Sequence, residues 1–131
     1  MFERDYILEI VSQFAEALAE SLGLAVSGED GGCERVEQDI AGLLDLDPQV
    51  ALSLSPDSLV QMMVLSGIGD SIASHMCYGL EHLADVYERD GKEDLAIVRR
   101  AQAEAVAQSF GCDPNVVPAE LAEVDERLFS K

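Results

Sequence analysis

The stretch "LEHLADVYERDGKEDLAIVRRAQAEA", Leu80 to Ala105, decides the fold. Leu80, Leu83, Ala84 and Tyr87 recur at helical steps and share one side of a helix. Gly91 interrupts that helix, and Ala96 and Ala103 put small side chains on one face of the next. Small residues let two helices approach closely while Leu and Tyr fill the flanks. The stretch therefore predicts an antiparallel helical hairpin, built from helices over about Asp70–Asp90 and Lys92–Phe110.

The same residues resemble one unit of the tetratricopeptide pattern. Leu80, Leu83, Ala84 and Tyr87 take its first-helix positions, Gly91 its turn, and Ala96 and Ala103 its second-helix positions. Arg100 stands where the pattern has Phe, and Gln108 where it often has Pro. No second copy occurs one period away, so the expectation is one tetratricopeptide-like pair packed on other helices, not a solenoid. A rotation of ~100° per residue gathers Ile72, Met76, Leu80, Leu83 and Tyr87 on the inner side. Tyr78, Glu81, Asp85, Glu88 and Arg89 fall opposite them. The resemblance implies that this acidic outer row, with Tyr78 as an exposed ring, binds a partner. The competing reading is a merely solvated row with Tyr78 touching a neighbouring helix.

Outward from the hairpin, the remaining chain also has helical period. Ile7, Ile10, Val11, Phe14, Leu18 and Leu22 draw a stripe from Asp5 to Leu24. "SGEDGG", residues 27–32, predicts a flexible acidic connector. A helix follows over Glu34–Leu44, with Val36, Ile40, Leu43 and Leu44 inward. Asp47 before Pro48 and Ser55 before Pro56 each pair a capping side chain with a proline suited to the first helical turn. They predict helices over Pro48–Leu54 and Pro56–Leu65, and Asp70 is expected to cap the hairpin's first helix. Leu59, Val60, Met62, Met63, Val64 and Leu65 make the Pro56 helix apolar nearly all round. It is expected at the centre of the fold, with half of a homodimer interface as the alternative. A last helix is expected after Pro118, towards Phe129. No segment alternates with period two, so the fold class is all-α: a compact bundle of about five to six helices in a single domain over residues 1–131.

The chain has 131 residues, 48% hydrophobic, with 26 acidic against 8 basic side chains and a net charge of −18. Such a surface repels phosphate backbones and anionic lipid, which argues against nucleic-acid and membrane partners; it reads first as a solubilising exterior, with attraction of a basic protein or peptide as the alternative. No apolar run reaches the ~20 residues that span a bilayer, and "MFERDYILEI" lacks a cationic leader pattern. Cys33, Cys77 and Cys112 are odd in number and irregularly spaced, which suits ordinary thiols in a reducing cytoplasm.

Chemistry-bearing motifs are sparse. His75 and His82, near Cys77, suggest a metal or ligand site, but seven residues separate them, whereas helical ligand pairs come at three or four. "ERDGKED" lacks the alternating carboxylates of a calcium loop. No nucleophile elbow, phosphate loop or zinc-protease motif occurs. The reading assigns no catalytic residue, no metal and no cofactor.

Taken whole, "RDYILEIVSQFAEALA", "LLDLDPQVALSLSPDSLVQMM", the hairpin and "VPAELAEVDERL" resemble a family of small helical bacterial proteins classed as a domain of unknown function. That resemblance implies an all-α fold and carries over no site residue. The functional expectation is a non-enzymatic interaction or scaffold module. The alternative is a ligand-binding protein or enzyme with a pocket between helices 56–65 and 71–90.

Overall fold

A computed structural model describes residues 2–129. It is all-α, with α1 (Phe2–Val26), α2 (Gly32–Leu43), α3 (Pro48–Ala51), α4 (Pro56–Ser66), α5 (Gly69–Arg89), α6 (Glu93–Phe110) and α7 (Ala122–Phe129). A single 3-10 turn at Ala119–Leu121 precedes α7. No strand occurs among the described residues.

The central element is α5, which packs against α1, α2, α4 and α6. Its inner row of Ile72, Met76, Leu80, Leu83 and Tyr87 is buried throughout. Gly79 brings α1 close: a Cβ there would lie 3.2 Å from Leu18 Cδ1. From α1, Val11, Phe14, Leu18 and Leu22 enter the core, and Val36, Ile40 and Leu44 enter it from the α2 side. One hydrophobic cluster joins all these elements, and its burial is the main source of stability.

The helix expected at the centre is peripheral. Only Leu59 and Met63 of α4 are buried, while Val64 and Leu65 are exposed. The longer α5 supplies the inner stripe, so α4 needs to bury only one narrow row, against α6 and α5. Between α4 and α5, where the alternative reading has a pocket, side chains pack closely. Leu59, Met63, Ile72 and Met76 are fully buried, and a Cβ on Gly69 would lie 2.9 Å from the Met63 carbonyl oxygen.

Local signals set most boundaries. Asp47 accepts from the Gln49 amide at 2.9 Å and Ser55 from the Ser58 amide at 3.3 Å, so both proline starts carry their expected caps. The first is short, because α3 ends at Ala51 rather than Leu54. Asp70 is no cap; it lies within the first turn of α5, which starts at Gly69. The segment over residues 27–32, expected as a connector, follows α1 through hydrogen-bonded turns. The Glu29 amide donates to the Leu24 carbonyl at 3.0 Å, the Ser27 hydroxyl donates to Gly23 at 2.9 Å, and Gly28 and Gly31 take positive φ.

Candidate functional site

Polar side chains gather in two places, along α5 where α6 and the C-terminal segment meet it, and in a groove beside α2, α3 and α6. The outer row of α5 is already engaged within the molecule. Arg100 of α6 donates from Nη2 to Asp85 at 2.8 Å and Glu88 at 3.2 Å, and from Nη1 to Glu81 at 3.4 Å. The bond to Asp85 first, and that to Glu88 after it, raise the pKa of Arg100. Burial lifts the Glu81 carboxyl above its ordinary range, and Arg100 offsets this only in part. Arg89 turns the other way and caps α1, donating to the Val26 carbonyl at 2.7 Å and the Ala25 carbonyl at 3.2 Å. A cation on the exposed carbonyls of a helix end is favourable in both hydrogen bonding and dipole.

Tyr78 is not the exposed ring that the helical wheel suggested. It is buried, and its hydroxyl donates to Asp125 of α7 at 2.9 Å. The returning C-terminal segment covers it, which no local pattern in α5 encodes. Burial, with the Asp125 bond adding to it, pushes the phenol pKa upward. The histidines meet the same segment rather than α4. His75 Nε2 lies 3.1 Å from Glu120 Oε1, and the His82 ring stacks on Phe129 with centroids 3.8 Å apart and planes at 11°. Burial lowers the His82 pKa even though Asp85 and Asp125 are near. Among the described residues no group of three or more His, Cys, Asp or Glu side chains gathers as a metal would require.

The second place is a groove of about 840 Å³ between α2, α3, the end of α5 and the start of α6. Its floor is a polar network laid on the core. Glu37 Oε2 accepts from the Tyr87 hydroxyl at 2.6 Å and from Arg99 Nη2 at 3.0 Å. Arg99 Nη1 donates to the Leu52 carbonyl at 2.8 Å and to Gln102 Oε1 at 3.1 Å. Gln102 Nε2 in turn donates to the carbonyls of Leu52 at 3.1 Å and Leu54 at 3.0 Å. One guanidinium and one amide thus hold the irregular chain between α3 and α4 against α6. Arg99 is 5% exposed, and its Nε has no protein partner. A buried donor of this kind costs free energy unless something accepts from it.

The walls differ from the floor. Leu95 and Val98 of α6 line the groove while half exposed, and Pro48 and Leu52 face it from α3 and its end. The neighbouring Ile97 and Val50 are more exposed still. Glu34 and Asp47 are exposed lining residues at the rim, and Glu93 and Asp94 occupy the first turn of α6. Lys92 lies 5.9 Å from the centroid of the Tyr87 ring. The arrangement offers apolar contact and anionic charge.

Glu37, Arg99 and Gln102 belong to no motif of the sequence. The signal was present for Arg99, which falls on the inner stripe with Ala96, Ala103 and Val106. A charged residue on an apolar stripe implies a buried partner. Glu37 had no such mark. The thiols stay apart from this chemistry: burial, the leading cause at both, raises Cys33 and Cys77 to about 11, which keeps them protonated near neutral pH.

No helix among the described residues is long and apolar enough to cross a membrane. Comparison of the chain with protein-family models, curated proteins and solved structures finds no match.

Proposed function

We propose that the protein is a non-enzymatic interaction module whose partner docks in the groove between α2, α3 and α6. The observation that carries this reading is the half-exposed apolar pair Leu95 and Val98 on the α6 wall of the groove, with Pro48 lining it from α3. Exposed apolar side chains inside a groove and framed by polar residues are suited to contact with a partner. The groove's charged floor residues are committed to one another, so they serve as scaffold for its shape. The tetratricopeptide-like α5–α6 pair then acts as the support on which the groove is built, and its Arg100-bound outer row is set aside as the contact face.

A peptide-display selection tests the reading. Binders should emerge that lose affinity for a Leu95→Ser/Val98→Ser variant and keep it for Glu81→Gln/Glu88→Gln on the outer row. Enriched peptides that ignore the groove variant, or no enrichment at all, would remove it.

A further inference from the structure

We infer that the groove selects a basic amphipathic segment, with lysine or arginine side chains at its rim and apolar side chains on its wall. This inference rests on the docking reading above and adds the chemistry of the occupant. Three observations converge on it. Leu95 and Val98 project from successive turns of α6, three residues apart, which presents an apolar strip to a segment lying along the helix. Glu34 and Asp47 stand on the other side of the same opening and are exposed. Glu37 contributes its oxygen to Tyr87 and Arg99, so the floor is locally compensated, and at the opening Glu34 and Asp47 outweigh Lys92 beside Tyr87.

The sign of the field follows from these placements. An acidic segment would meet Glu34 and Asp47 directly, and the chain's net charge of −18 would repel it before contact. A basic segment gains from both, and its apolar residues cover side chains that water now touches. A helix laid along a groove reads such a site through anchors at three- and four-residue spacing. Gln38, Gln49 and Ser53 also line the opening and supply donors and acceptors for the segment's polar side chains.

General attraction between a cation and so acidic a protein has to be separated from this site, so the experiment holds total charge constant. The probe is a synthetic amphipathic Lys/Leu helix, compared by calorimetry with its Glu/Leu counterpart. The basic peptide should bind the wild type and weaken about three- to tenfold towards Glu34→Gln/Asp47→Asn. Asparagine retains the α3 cap, and circular dichroism checks the fold. Leu95→Ser/Val98→Ser should weaken binding by about tenfold or more. Glu123→Gln/Glu126→Gln, which removes the same charge elsewhere, should leave it unchanged. Equal loss in the control pair, no binding of the basic peptide, or equal binding of the acidic one overturns the inference. Groove-dependent display peptides without basic residues would overturn it while leaving the docking reading intact.

Discussion

Arg99 and Glu37, sixty-two positions apart in the chain, form an ion pair of 3.0 Å with both side chains largely buried. The pair ties α6 to α2, and through the Leu52 carbonyl it also fixes the segment between α3 and α4. Taking either partner away leaves the other in a dry place with too few partners. Arg99→Met should therefore cost about 3–5 kcal/mol, and Glu37→Leu about as much. The double variant should recover a large part of that loss, because no unpaired charge remains. Urea denaturation of the four proteins forms the cycle. Strict additivity of the two losses would mean that the residues act independently.

Gly32 and Gly42 sit in the same helix and predict opposite outcomes. A Cβ on Gly32 would lie 2.6 Å from the Ala25 amide nitrogen and 2.7 Å from its Cα, in backbone that cannot turn aside. Gly32→Ala should destabilise by about 1–3 kcal/mol through overpacking at the α1–α2 turn. At Gly42 an added Cβ meets nothing within 4 Å. Gly42→Ala should stabilise by about 0.5–1 kcal/mol, the helix-propensity difference between the two residues. Thermal melts of both proteins decide the matter, and a stabilised Gly32→Ala would contradict the close approach.

Those contrasts explain what the sequence could and could not disclose. The inner faces of α1 and α5 were legible because Leu18 and Leu22, or Met76 and Leu80, repeat every turn wherever the rest of the chain lies. The starts at Pro48 and Pro56 were legible because their caps are local. The expectation for α4 failed because Val64 and Leu65 look like core residues, yet both stay exposed among the described residues. That depends on which neighbours arrive. Tyr78 failed for the converse reason: a helical wheel places it opposite the core, and a segment forty-seven residues later returns to cover it. Arg99 could have been found as a charge on a small-residue stripe. Its partner Glu37 could not, since only the tertiary fold brings them together.

Arg100 gives a test of the outer row. It spans Glu81, Asp85 and Glu88, but the three carboxylates lie at or near the surface. Surface pairs contribute little, so Arg100→Ala should cost no more than about 1 kcal/mol. The loss should shrink as salt is added, because the pairs are screened. Wild-type stability should itself rise with moderate salt, since the net charge of −18 opposes compaction. Melting temperatures of both proteins across a salt series check the two statements together. A large, salt-independent loss would point to packing by the arginine stem instead.

His82 fixes the expected response to acid. Burial holds its folded pKa below the ordinary histidine value, so the folded state prefers the neutral ring. The stabilising contribution is complete above the unfolded value, where the ring is neutral in both states. It is lost as pH falls from about 6.5 towards the lower folded value, because the unfolded chain takes up the proton first. Glu120 is also depressed, chiefly by its own backbone amide, and its contribution is lost only at lower pH, as acid reaches the folded carboxyl. The first loss on acidification should thus be the stack on Phe129 and the seating of α7 against Tyr78 and Asp125. A pH series from 7.5 to about 5 should show falling stability in the wild type and a flatter profile in His82→Gln. Hydrogen exchange should show α7 opening before α5 as the pH drops. Parallel profiles for the two proteins would assign the acid sensitivity to other groups.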